Sequence, residues 1–335
     1  MNVVMIVPTG IGCEIGGHAG DATPPARLLA GCCSNLILHP NVVNATDINE
    51  MPKNAWYVEG SLLDRFLREE FGLRKVRANT VLVATNPPLK PEVVNSVSAA
   101  RATLGLDAFI VVLKEPLRMI GRIEDDKATG DVYGWRELAN QVSSYNFDAL
   151  AIASYIEVDR PTKFKYFREG GINPWGGVEA RASKLIATAL LKPVAHAPCD
   201  ATFEDDPEWA LFSEVVDPRM SAELVSISYL HCILKGLHKA PQITKDKGEG
   251  LWVKDVDCMV SPLGCFGPPH VACVERNIPI IVVKENKTCL DRIFSEEHLE
   301  VENYLEAAGM IVAMRDGINW KAVRRPLKKT HIETS

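Results

Sequence analysis

The sequence predicts an α/β protein with a largely parallel sheet flanked by helices. Short β-branched runs alternate with amphipathic stretches along all 335 residues, as repeated βαβ units require. The denser glycine clusters sit beside helix starts, where the turns of such units belong. Hydrophobic residues at 47% and charged residues at 24% exclude collagen, coiled coil and a disordered chain.

The strands follow from apolar runs at 3–7, 36–38, 56–58, 80–84, 109–113, 149–153, 193–195, 258–260 and 279–283. Helices are expected over 24–33, 61–71, 91–104, 134–144, 178–191, 222–237, 268–276 and 302–310. Their starts are signalled locally: Pro91 fits a first helical turn, and Ser61 with Asp64 behind it marks another. The charged, glycine-bearing stretch 122–131 suggests a joint between two closely packed lobes, 1–125 and 126–335, unless the chain is one continuous unit. A second polar loop covers 244–250. The tail from Lys321, with Arg324, Arg325, Lys328 and Lys329, reads as a solvated terminus or an oligomer arm.

Thirty-seven basic against 43 acidic residues leave a net charge of −6, which argues against a phosphate-backbone binder, so nucleic acid is not expected as a partner. Nine cysteines, an odd number with no secretory segment ahead of them, read as reduced thiols in a cytoplasmic protein. No apolar stretch approaches the ~20 residues that span a bilayer. A small-molecule ligand and a homo-oligomer are the partners expected.

In open parallel sheets ligands gather beyond the carboxyl ends of the strands, so the residues after each strand are the candidates. After the first comes a run with five glycines between positions 10 and 20. Thr9, Gly10, Gly12, Gly16 and Gly17 could present backbone amides to an anion, with His18 and Asp21 adding titratable groups. After the second, His39 precedes a proline, and Asn41 and Asn44 offer donors and acceptors together. The second glycine-dense segment carries Arg168, able to clamp a carboxylate or phosphate, then Gly176, Gly177 and Glu179 entering a helix. His196 follows an apolar strand. With Asp21, the three histidines make an acid/base set, or alternatively a divalent-metal site. Cys265 lies just before a helix start, where the dipole favours a thiolate; it reads equally as a small buried hydrophobe.

Taken together, the segments Pro8-Thr9-Gly10-Ile11-Gly12, Gly16-Gly17-His18-Ala19-Gly20-Asp21, His39-Pro40-Asn41-Val42-Val43-Asn44 and Lys284-Glu285-Asn286-Lys287-Thr288 resemble an uncharacterised, mainly cyanobacterial family known as a domain of unknown function. The resemblance covers nearly the whole chain and implies no activity. Relatives are expected to carry a Cys-Gly-Gly-like loop near Cys265, a different cysteine register. Three functions stay open: an acid/base hydrolase, lyase or transferase acting on a small anionic metabolite; a thiolate enzyme using Cys265, similar to reductases or racemases; and a non-catalytic metabolite-binding protein.

Overall fold

A computed structural model describes residues 1–8, 12–17, 21–43, 51–198, 227–290, 298–327 and 329–333. In chain order its strands are β1 (Asn2–Met5), β2 (Asn35–Leu38), β3 (Ala55–Tyr57), β4 (Gly72–Arg74), β5 (Thr80–Thr85), β6 (Asp107–Val112), β7 (Arg118–Glu124), β8 (Lys127–Tyr133), β9 (Ala149–Ser154), β10 (Ile156–Glu157), β11 (Val194–Pro198), β12 (Gln242–Thr244), β13 (Cys258–Leu263), β14 (Ile280–Lys287) and β15 (Leu299–Val301). The described helices are α1 (Thr23–Ala30), α2 (Gly60–Leu67), α3 (Pro91–Leu104), α4 (Trp135–Val142), α5 (Arg160–Glu169), α6 (Gly176–Leu190), α7 (Ile227–Lys239), α8 (Pro268–Glu275), α9 (Tyr304–Arg315) and the short α10 (Trp320–Val323).

Two parallel sheets organise the molecule. The larger has six strands in the order β15-β14-β13-β1-β2-β3, and the smaller has four in the order β11-β9-β5-β6; every pairing within them is parallel. The chain therefore runs outward from β1 through β2 and β3 in one direction and from β13 through β14 and β15 in the other. The β1–β13 pair is the switch point, where the connecting loops diverge and leave a crevice.

Alternation along each strand builds the core. Val3, Met5, Leu36, Leu38 and Val260 face α1 and α9, while Val4, Ile37, Met259 and Val282 face α2 and α8. The second of these clusters continues into Leu82, Leu150, Ile152 and Val194 of the smaller sheet, so one core joins the two sheets. Each such buried side chain contributes about 1.5–3 kcal/mol. On its other face the smaller sheet is lined by alanines, Ala149, Ala151, Ala153, Ala195 and Ala197, against which α3 and α7 pack.

The polar stretch at 122–131 is an antiparallel hairpin. Gly121 pairs with Gly130 and Glu124 with Lys127; Asp125 and Asp126 take left-handed conformations at its tip, φ 48° and 52°, as a two-residue hairpin turn demands. Arg122 meets Asp131 across the pair at 2.6 Å. The larger sheet draws on residues 2–57 and 258–301 and the smaller on 80–198. In the tail, Lys321 and Arg324 stack on the Trp320 ring, 5.5 and 5.2 Å from its centre. No described helix is long and apolar enough to cross a membrane.

Candidate functional site

A cavity of about 820 Å³ opens at the carboxyl edge of the larger sheet. Its wall takes Ile6, Val7 and Pro8 after β1, His39 to Asn41 after β2, Glu59 and Gly60 after β3, and Cys265 to Gly267 after β13. The start of α6 and the end of β11 close the opposite side. The volume suits a metabolite-sized ligand.

Glu59 ends the β3 segment and caps α2, its carbonyl receiving the Leu62 and Leu63 amides at 2.8 and 3.0 Å. Its side chain lines the cavity, is 7% exposed, and leaves Oε1 without a hydrogen-bond partner. Burial pushes this carboxyl up to about 8; hydrogen bonding to Tyr57 pulls the other way, and the nearby Glu179 charge pushes it further up. At neutral pH Glu59 therefore holds a proton inside the cavity.

His39 lies over the first residue of α2. A Cβ on Gly60 would stand 2.7 Å from His39 Nε2, so only glycine lets the ring sit there. Nδ1 accepts the Asn41 amide at 3.2 Å, and burial pulls the imidazole down to about 4. The ring is thus neutral with its proton on Nε2. Asn41 in turn accepts the Gly17 amide at 2.8 Å, tying the glycine loop to this wall.

Glu179, in the first turn of α6, meets His196 of β11: Oε1 stands 3.0 Å from Nδ1. The other ring nitrogen, Nε2, lies 3.1 Å from Ser154 Oγ and 3.0 Å from the Ser154 carbonyl. The His196 side chain is wholly buried, whereas Glu179 keeps 27% of its side chain exposed. Sequence reasoning put the imidazole itself in the acid/base role. Both ring nitrogens are engaged inside the wall, and of the pair Glu179 is the more exposed partner.

The glycine-rich loop after β1 is occupied internally over its described part. The Glu14 amide donates to the Lys287 carbonyl at 3.1 Å, Ile15 to Asn286 Oδ1 at 2.9 Å and Gly16 to Asp21 Oδ1 at 2.6 Å. Asn286, fully buried on β14, also donates to the Ile15 carbonyl at 2.9 Å and the Tyr304 hydroxyl at 2.8 Å. The Gly12 carbonyl accepts the Cys289 amide at 2.6 Å. These groups hold the loop to β14, and Asp21 serves the loop itself. Thr9, Gly10, His18 and Asn44 lie outside the described residues.

In the second glycine segment, Asn173 Oδ1 accepts the Trp175 and Gly176 amides at 2.9 and 3.2 Å and so starts α6. Gly176 lines the cavity. Gly177 packs on β8: a Cβ there would lie 2.8 Å from the Thr129 nitrogen and nearer still to the Ala128 carbonyl. Arg168 lies exposed at the end of α5, its guanidinium 5.6 Å from the Phe164 ring centre and away from the cavity wall.

Cys265 reaches the wall from the turn after β13 and is 8% exposed. Beside it, His270 Nδ1 accepts the amide of Gly267, the residue that caps α8, at 3.1 Å, while Nε2 lies 2.8 Å from Ser261 Oγ. Burial drives this imidazole down to about 3, against the Gly267 hydrogen bond, which makes it a neutral cap.

Among the described residues, the lysine and arginine of the wall are paired: Lys184 with Asp64, and Arg181 with the Gly130 carbonyl at 2.7 Å and Asp131 at 3.9 Å. Among the described residues no group of three His, Cys, Asp or Glu is placed to hold a metal ion. Sequence reasoning assigned no site role to Glu59, Tyr57 or Ser154. The available signal was position, since Glu59 immediately follows a strand of the larger sheet.

An uncharacterised lipoprotein of Synechococcus sp. is 33% identical to this chain over 334 residues, covering 94% of it and 91% of the relative. No solved structure matches. A family profile described as a protein of unknown function (DUF3326) matches residues 2–324. The chain belongs to that family.

Proposed function

We propose that the protein is an enzyme performing acid–base chemistry on a small organic molecule in this cavity, with Glu59 as the acid and Glu179 as the base. The observation that carries this reading is two carboxyl groups lining one cavity in opposed settings. Glu59 is buried, protonated and open-ended, whereas Glu179 is partly exposed and backed by His196. Such separation of environments assigns acid and base roles in known two-carboxylate sites. Glu59 would deliver its proton to the leaving or developing anionic atom of the substrate, and Glu179 would take one from the attacking or departing group. Each transfer is worth about 10²–10⁴-fold in rate. His196 positions Glu179, and Ser154 anchors His196. The anionic substrate expected from the glycine loops has less support, because Lys184 and Arg181 already serve Asp64 and Asp131.

The test is turnover in a complex mixture. Wild type, Glu59→Gln, Glu179→Gln and Cys265→Ala are each incubated with a small-molecule extract of cyanobacterial cells, followed by mass spectrometry. Wild type and Cys265→Ala are expected to consume a common metabolite that both glutamine variants leave intact. Undiminished turnover by the glutamine variants overturns the reading. A second reading, a thiolate enzyme, is favoured by the place of Cys265 in the same cavity just ahead of α8; loss in Cys265→Ala alone would select it. A metabolite retained but never consumed would select the binding-protein reading. The cytoplasmic location expected from the sequence competes with the relative's description as a lipoprotein, and fractionation of cells with immunoblotting decides between them.

A further inference from the structure

We infer that the molecule taken by this cavity carries a protonated amine, which docks on Glu59 with its apolar part against the aromatic wall; the inference rests on the cavity being the functional site proposed above. Two observations converge. The first is a pair of orphaned carboxyl oxygens: Glu59 Oε1 and Asp64 Oδ1 both belong to residues of the cavity wall, 7% and 5% exposed, and neither atom has a hydrogen-bond partner. A buried polar atom left open in this way is uncomfortable until a partner arrives.

The second is the balance of charge. Glu59, Glu179 and Asp64 line the space, and the two basic side chains of the described wall are paired with Asp64 and Asp131. His39 is neutral, since burial lowers its basicity. An incoming carboxylate or phosphate would meet Glu179 with no uncommitted cation among the described wall residues. An amine entering as its free base would instead take the proton Glu59 holds, leaving an ammonium on the carboxylate, and that proton stays in the cavity for the acid step. Trp175 and Phe266 present rings to the same space, favourable both to a cation and to a hydrocarbon body.

Three probes of matched size separate the possibilities: 2-phenylethylamine, 2-phenylethanol and 3-phenylpropionate, titrated at pH 8 by calorimetry and saturation-transfer NMR into wild type and Glu59→Gln. The glutamine variant is isosteric, and a thermal melt confirms its folding. Wild type is expected to bind the amine at least about tenfold more tightly than the alcohol, as a charge-assisted hydrogen bond provides, and the carboxylate more weakly than either. Glu59→Gln should weaken the amine by about tenfold or more and move the alcohol by less than about threefold. Tighter binding of the carboxylate, equal binding of amine and alcohol, no binding of the amine, or an amine affinity indifferent to Glu59→Gln would each overturn the inference. If the amine fails while both glutamine variants still lose turnover in the extract, the acid–base reading stands and only the ligand class falls.

Discussion

Gly177→Ala separates two roles for the second glycine segment. The sequence suggested a glycine against substrate; the structure sets it against strand β8, where an added Cβ would lie 2.8 Å from the Thr129 nitrogen and closer to the Ala128 carbonyl. Ordinary contact needs about 3.4 Å or more, so α6 must retreat by more than about half an ångström from backbone atoms that are themselves held in a β-hairpin. Overpacking of that kind costs about 1–3 kcal/mol. Glu179 lies two residues further along the same helix, 3.0 Å from His196 Nδ1, so the retreat should also lengthen that hydrogen bond. Urea denaturation gives the stability change, and the His196 ring resonances report the hydrogen bond. Gly309→Ala in α9 is the internal control: nothing lies within 4 Å of its added Cβ, so it should stabilise by about 1 kcal/mol through helix propensity alone. If Gly177→Ala stays within about 0.5 kcal/mol of wild type and the His196 resonances do not move, the packing role assigned to Gly177 is wrong.

Glu59→Gln should make the protein more stable at high pH even as it removes function. The carboxyl is raised from 4.5 to about 8 in the fold, so the native state keeps a proton the unfolded chain has lost. Its stabilisation is full below the unfolded value and disappears as pH rises through about 8, at most about 5 kcal/mol in all. Urea melts between pH 5 and 9 should show the variant gaining on wild type throughout, and parallel curves would contradict the buried proton. The acid limb has the opposite sign: His270, lowered from 6.5 to about 3, stabilises fully above about 6.5 and loses that contribution as pH falls toward 3. His270→Gln should therefore flatten the stability profile between pH 6.5 and 4 by about 1.4 kcal/mol per pH unit, and an unchanged slope refutes it. Asn286→Ala removes three hydrogen bonds from a fully buried residue and should cost about 3 kcal/mol while speeding amide exchange at Ile15. A cost below about 1 kcal/mol would mean the loop is held by something else.

The parallel framework was legible because its strands are apolar runs between turn signals, and α3, opened by Pro91, matches its expected bounds of 91–104. β7 and β8 were not, because their charged residues Arg118, Arg122, Glu124 and Lys127 break the apolar alternation that marks a strand. α5 was missed for a related reason: its Lys, Arg and aromatic residues leave only Tyr166 buried. Looking just past strand ends located His39, His196 and Cys265, and the second glycine-dense segment gave Glu179; the fold brings all four to one cavity. That rule could not tell a side chain that meets the cavity from one that supports it. His196 lines the cavity with both nitrogens held, by Glu179 and by Ser154, which lies 42 residues away on the neighbouring strand. The glycine loop offered the loudest signal, yet its described amides serve Asn286, Asp21, Asn41 and Lys287; only the strand register of β14 reveals that the Asn286 motif and the glycine motif are two halves of one contact.

The account turns on the proton held by Glu59, and its titration can be read without knowing the substrate. Protein labelled with carbon-13 at the glutamate carboxyl is followed by NMR from pH 5 to 10, with Glu59→Gln identifying the resonance by its disappearance. The account predicts that this resonance titrates with a midpoint near 8 and that a bound amine shifts it to the ionised position at neutral pH. A midpoint in the ordinary carboxylate range near ~4.3 would contradict it.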